Sequence, residues 1–332
     1  MNSKPVTSVD VARLAGVSQS AVSRYFTPGA SVSKKMADKI RVAAEELGYR
    51  PNVLARAMIT GKSRIIALVV YYFENQFYPE AVEKLSIALQ ENGYHVLLFM
   101  ASNTIGDVEP VIQEIVGYQV DGIIMVSVSM SSVLAERCRD HGIPVMLFNR
   151  DQPGDRLRAV TSDNYQGGRM AANILLKGNP KRIAHLAGFE GASTQIDREA
   201  GFNDALREAG HQVHSRADGN FHYTDAAEAA RTLFDVPEPP DALFVTDDHM
   251  ALAALDVIRH ELHLRVPQDV AVVGFDDIPQ AAWPSFNLTT IRQPINQMVS
   301  AAVQELVGAI EGNSDIRKIR IPPVSVIRGT TL

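Results

Sequence analysis

Two hydrophobic rhythms divide this chain. In the first fifty residues, small apolar side chains recur at helical spacing in short runs. Val9, Ala12 and Ala15 or Leu14 mark the inner face of a first helix, and Ala21, Val22 and Tyr25 that of a second. Gly16, which tolerates positive φ, separates them, and Val17 packs inward. Thr7 and Ser18 stand where N-caps belong, and Asp10 three residues after Thr7 gives a capping-box-like start. Pro28-Gly29 breaks the chain again. A third helix is predicted from a cap at Ser33 through Leu47, with Ile40, Ala43, Ala44 and Leu47 inward, Gly48 as its stop and Tyr49 folding back. The pattern is that of a small all-α head containing a helix-turn-helix.

Pro51 and Asn52 then open a two-turn helix, Val53 to Met58, too short to be stable alone. Beyond it the rhythm changes. Nearly continuous apolar runs at 65–70, 96–100, 122–126, 145–148, 183–186, 242–245 and 270–275 read as parallel strands buried on both faces. Helical stretches lie between them at 79–92, 167–176, 198–209, 224–234 and 249–261. This βα alternation predicts two doubly wound parallel-sheet lobes.

Charge sharpens the division. Residues 1–64 hold eleven Lys/Arg against four Asp/Glu, a net of +7, and the remainder carries −13 of the chain's total of −6. A basic head on an acidic body is expected when only the head meets phosphate. The one cysteine, Cys138, excludes an intrachain disulfide. No signal-like or membrane-length apolar run is present, so a cytoplasmic protein without a membrane partner is expected.

The outer face of the second helix carries Gln19, Ser20, Ser23 and Arg24. Gln19 suits adenine and Arg24 suits guanine in a major groove, with Ser20 beside them as a base reader. Thr7, Ser18, Ser23, Ser33, Lys34 and Lys35 are candidates for the phosphate backbone. The bland alternative is an inert three-helix bundle, which the charge and the polar outer face disfavour. Asn52, Leu54, Ala55 and Met58 are candidates for a minor groove, with Met58 as a wedge between base steps. Gly61-Lys62-Ser63 looks like the end of a phosphate-binding loop, but Arg56 stands where its first glycine is needed.

In doubly wound lobes, ligands collect beyond the carboxyl ends of the strands. Those ends carry Tyr71-Tyr72, Asn75-Gln76-Phe77-Tyr78, Asn149-Arg150, Phe221, Asp247-Asp248 and Asp276-Asp277. Acids, amides and a guanidinium suit vicinal hydroxyls, and an aromatic face suits a sugar ring. Asp248 and Asp277 could equally cap helices or turns, and Phe77 and Tyr78 could equally belong to the core. No activated nucleophile accompanies the acids, which argues against an enzyme. His260 and His263 at i, i+3 lack the further ligands of a metal site, so no metal or cofactor is expected.

The head resembles that of the LacI/GalR family of bacterial transcription regulators. It follows the pattern T-x-x-D-V-A-x-x-A-G-V-S-x-x-T-V-S-R, with Ala21 for the usual threonine. The likeness continues through Asp163-Asn164-x-x-Gly167, Arg198-x-x-Gly201-Phe202, Asp247-Asp248-x-Met250-Ala251, Val273-Gly274-Phe275-Asp276-Asp277 and Leu288-Thr289-Thr290-Ile291. The resemblance implies a periplasmic-binding-protein-like body behind the helix-turn-helix head. The implied divisions are a head at 1–50, a hinge helix and linker at 51–63, an N-terminal lobe at 64–160 with 292–321, and a C-terminal lobe at 161–291 with 322–332. It also implies base reading by Gln19, Ser20 and Arg24, and a hinge from Asn52 to Met58, where the family usually has leucine at the wedge. Tyr72, Phe77, Tyr78, Asn149, Arg198, Phe221, Asp247 and Asp276 become the effector-site candidates, Asp247 replacing a frequent asparagine. The expectation is a homodimeric repressor of bacterial transcription on a pseudo-palindromic double-stranded operator, controlled by a sugar-like small-molecule effector. A purine- or nucleoside-responsive regulator and a solute-binding protein are the alternatives.

Overall fold

The computed structural model describes residues 6–26, 30–50, 62–101, 109–128, 131–154 and 156–332. The chain divides into two compact units, Met1–Ser63 and Arg64–Leu332.

In the first unit, helices α1 (Ser8–Ala15), α2 (Gln19–Tyr25) and α3 (Lys34–Leu47) pack around one small core. The Asp10 carboxylate accepts from the Thr7 amide (3.0 Å) and hydroxyl (2.7 Å), fixing the start of α1. Gly16 ends it at φ +64°, a conformation that favours glycine. The inner face differs from the expectation at one position. Val11, Ala12 and Ala15 are buried against Val22 and Ile40, whereas Val9 and Leu14 lie exposed. The stripe begins at Val11 because residues three and four apart share a face, and Ala15 rather than Leu14 approaches α3 closely. Ser33 holds the cap position of α3, but its side chain makes no capping hydrogen bond.

The second unit contains two six-stranded sheets. The N-terminal sheet has the order β11-β5-β4-β3-β1-β2 and the C-terminal sheet β12-β10-β9-β8-β6-β7. The first comprises β1 (Ile65–Val70), β2 (His95–Met100), β3 (Gly122–Val126), β4 (Val145–Phe148), β5 (Arg158–Ser162) and β11 (Lys318–Ile321). The second comprises β6 (Ile183–Ala187), β7 (Val213–Asp218), β8 (Ala242–Val245), β9 (Ala271–Asp276), β10 (Thr289–Arg292) and β12 (Val324–Val326). All pairings are parallel except β10 with β12. Every residue of β1, β3, β4, β6 and β8 is buried, which is why these strands read as apolar runs, interrupted only by His185 in β6. The edge strand β7 alternates in burial and shows no such run.

Helices α4 (Phe77–Glu91), α5 (Glu109–Gly117), α6 (Ser132–Asp140) and α11 (Ile295–Ile310) serve the first lobe. Helices α7 (Asn164–Leu176), α8 (Ser193–Glu208), α9 (Tyr223–Phe234) and α10 (Asp248–Asp256) serve the second. Helix α10 continues into a π-turn at Val257–Glu261. All five helices predicted for the body begin before their expected starts, by one to five residues; in all but α4 the first turn carries polar side chains ahead of the apolar periodicity. The chain crosses between lobes after β5, after β10 and after β11.

Cys138 is fully buried in α6, and burial pushes its thiol up to about 11, so it is an inert packing residue. Among the described residues, no helix is long and apolar enough to cross a membrane.

Candidate functional site

The carboxyl ends of the parallel strands supply a shared interlobe crevice. Five side-chain-bearing residues there hold left-handed or otherwise positive φ: Ser127, Asn149, Phe221, Asp276 and Asp277. Such conformations cost energy outside glycine and asparagine, and they gather where a fold aims side chains at a site.

Arg198 of α8 is the organising group. It is almost fully buried, and its Nε donates to Asn164 Oδ1 (2.9 Å) and its Nη1 to the Thr246 carbonyl (2.7 Å). Nη2 lies 3.5 Å from Asp276 Oδ1, and the guanidinium stacks 3.6 Å from the centre of the Phe275 ring. Gln293 Nε2 donates to the same Asp276 oxygen at 2.8 Å. Asp247 caps α10 by accepting from the Met250 amide at 2.8 Å.

One amide links the lobes at the acids themselves, while the Asp151 amide donates to Ser193 Oγ (3.0 Å) elsewhere along the lobe boundary. Asn75, from the loop after β1, donates from Nδ2 to Asp247 Oδ2 and Asp276 Oδ2, both at 3.1 Å. Its Oδ1 accepts from the Phe77 amide at 2.9 Å, which sets the amide's orientation. Tyr72 adds a longer bridge, its hydroxyl donating to the Phe221 carbonyl at 3.4 Å. On the N-terminal side, the Ser127 hydroxyl donates to Tyr78 Oη at 2.9 Å and accepts from Asn149 Nδ2 at 3.3 Å. Asn149 Oδ1, Gln293 Oε1 and Arg150 Nε are buried without hydrogen-bond partners among the described residues. Buried polar atoms are usually paired, so three orphans in one crevice mark a place built to meet polar groups of something else.

Burial raises both acids above the usual carboxylate range. For Asp247 the proximity of Asp276 adds to desolvation, while for Asp276 the Arg198 guanidinium works against it. Burial also pushes the Tyr72 and Tyr78 hydroxyls up and the Arg150 guanidinium down.

The structure thus brings Tyr72, Tyr78, Asn149, Arg198, Phe221, Asp247 and Asp276 to the crevice. Phe77 it places in the N-terminal lobe's hydrophobic core. Both undecided acids are structural. Asp248 accepts from the Ile278 amide (3.0 Å) and the Thr290 hydroxyl (2.6 Å), and Asp277 pairs with Arg292 (2.6 Å) and Arg328 (2.7 Å). Sequence reasoning placed Asn75 at a strand end but gave it no role, and it missed Gln293 as a crevice group. Asn75 lay in a segment already noted for its aromatic neighbours, but an amide in a loop carries no spacing signal.

In the first unit, Arg24 and Ser23 are exposed on α2. Gln19 Nε2 donates to Ser8 Oγ (3.2 Å), and Ser18 and Ser20 share a hydrogen bond (2.9 Å). These contacts are exposed and are readily exchanged for a base or phosphate. Ser33, Lys34 and Lys35 are exposed at the start of α3. The hinge candidates Asn52, Leu54, Ala55 and Met58 lie outside the described residues.

Residues 8–52 match the model of bacterial regulatory proteins of the lacI family, and residues 172–331 that of the periplasmic binding protein-like domain. The chain is 33% identical to the HTH-type transcriptional regulator CelR of Thermobifida fusca, over 92% of each chain. The chain belongs to the LacI family. It is also 30% identical to the HTH-type transcriptional repressor PurR of Vibrio vulnificus, over 98% of each. Among solved structures, a CelR–cellobiose complex matches with a TM-score of 0.74 at 30% identity, covering 98% of this chain and 99% of that one. The Lac repressor dimer bound to operator and the anti-inducer ONPF matches with a TM-score of 0.88 at 25% identity, covering 99% and 100%. As a LacI-family member, the protein is a DNA-binding transcription regulator whose two-lobed body receives a small-molecule effector.

Proposed function

We propose that this LacI-family protein represses bacterial transcription in the cytoplasm as a homodimer on a pseudo-palindromic operator, and that a sugar bound between the lobes controls its grip. In this reading Gln19, Ser20 and Arg24 read bases, and Thr7, Ser18, Ser23, Ser33, Lys34 and Lys35 serve phosphates. The observation that carries the sugar assignment is the triad of Arg198, Asp247 and Asp276, joined across the lobes by Asn75. An ionised carboxylate only accepts, a protonated one adds a donor, and the guanidinium only donates, so neighbouring hydroxyls of a polyol find their complements. Phe221, its ring packed over Gly188, supplies a flat face for ring carbons. A sugar that replaced Asn75 on both acids would alter the link between lobes, and the differential affinity for the two arrangements is the switch.

Calorimetric titration with cellobiose, ribose, sucrose, hypoxanthine and guanine tests the ligand class. A sugar is expected to bind and to change operator affinity in fluorescence anisotropy. Binding of the purines alone would replace the sugar reading. Tight binding of a solute with no preference for any upstream DNA fragment would favour a solute-binding protein.

A further inference from the structure

The N-terminal lobe holds a second cavity, at the opposite end of strands that also feed the crevice. β4 delivers Asn149 to the crevice from its carboxyl end. Its first residue, Val145, lines a cavity of 360 Å³ about 13 Å away along the strand. The start of β5, the end of α6 and the turn after α11 complete the walls.

Three arginines line this cavity: Arg139, Arg156 and Arg158. Arg158 is only 9% exposed; its Nη2 donates to the Asn313 carbonyl at 2.7 Å, and its Nε is buried with no partner among the described residues. Arg156 pairs with Glu136. Neither Arg139 nor Arg158 has a carboxylate partner among the described residues. A buried guanidinium without a counter-charge is costly to keep, so a fold that retains one beside a cavity asks for an anion. Arg139 also complements the carboxyl end of α6. That role accounts for one positive charge near the helix end, not for the orphaned Nε of Arg158 or for the convergence of three side chains.

We propose that this cavity binds a phosphate monoester of metabolite size through Arg139, Arg156 and Arg158, independently of the crevice. Two guanidiniums without acidic partners among the described residues match a dianion, and their planar donor forks match phosphate oxygens. Leu157 and Ile316 line an apolar part of the wall, against which the carbon skeleton of the ligand rests. The volume stands at the small end of ligand cavities, suited to a phosphorylated monosaccharide rather than a dinucleotide.

The test is calorimetric titration of the full chain with ribose 5-phosphate at constant ionic strength, with ribose and inorganic phosphate as comparisons. Ribose 5-phosphate is expected to bind and inorganic phosphate to compete with it. Arg139→Glu and Arg158→Met should each weaken binding about tenfold or more, and Arg198→Lys should leave it unchanged. Should Arg158→Met fail to fold, the exposed Arg139→Glu carries the test. The proposal is overturned by absence of binding or by affinity that survives Arg139→Glu. It is also overturned if binding is lost in Arg198→Lys alone, which would place the ligand in the crevice, or in Lys34→Ala alone, which would place it on the basic head.

Discussion

Arg198 shows how one side chain serves both fold and site. It holds Asn164, Thr246 and Asp276 together while stacking on Phe275. Removing it leaves two buried acids without their cation, a class of change that costs about 3–5 kcal/mol. Arg198→Ala is therefore expected to lower the urea midpoint strongly at pH 8 and less at pH 5, where the acids take up protons, and to abolish effector response. Asp247 permits a sharper test. Desolvation and the nearby Asp276 push it up to about 7, above the unfolded-chain value near 4. The folded state then holds an extra proton between those values. Its stabilising contribution is complete below about pH 4 and disappears as the pH climbs through 7. Relative to Asp247→Asn, which cannot ionise, wild type should lose melting temperature between pH 5 and pH 8. A difference that does not vary with pH in scanning calorimetry would show that Asp247 is ionised throughout.

At the scale of elements, the motif glycines gain a mechanical meaning. Helices α7 and α8 touch so closely that a Cβ on Gly201 would overlap the Tyr165 carbonyl oxygen, and one on Gly168 the Arg198 carbonyl oxygen. Gly167 lies under the Phe275 ring on which Arg198 stacks. The spacing Arg198-x-x-Gly201 is thus a positioning device, in which the glycine lets α8 approach and the arginine then reaches Asn164. Gly201→Ala should force the helices apart, at a cost of about 1–3 kcal/mol by denaturant unfolding, and should weaken effector binding although residue 201 touches no crevice group. Buried strands were legible because both faces are covered, and so were acids at strand ends. The edge strand β11, half-buried only at alternate positions, and the bridging role of Asn75 were not. Partial burial erases an apolar run, and an amide's role depends on what the opposite lobe presents to it. The packed structure also decides Asp248, which the sequence left open beside the effector candidate Asp247: Asp247 faces the crevice, and Asp248 is sealed by Ile278 and Thr290.

At the scale of the whole molecule, charge is partitioned between head and body, with +7 in residues 1–64 and −13 in the rest. Operator affinity should therefore fall steeply with salt. Lys34→Ala should reduce the slope of log affinity against log salt by about one per head while leaving sequence preference intact. Anisotropy titrations across a salt series check this, and an unchanged slope would remove Lys34 from the phosphate contacts.

The three passages of the chain between lobes carry a consequence for biosynthesis. The first lobe receives its last strand, β11, only after the whole of β6 to β10 has been translated. At ordinary elongation rates the wait is on the order of ten to thirty seconds. Throughout that interval a nascent polypeptide on the ribosome presents β5 as an open sheet margin, so its maturation depends on how well that margin is shielded until translation ends.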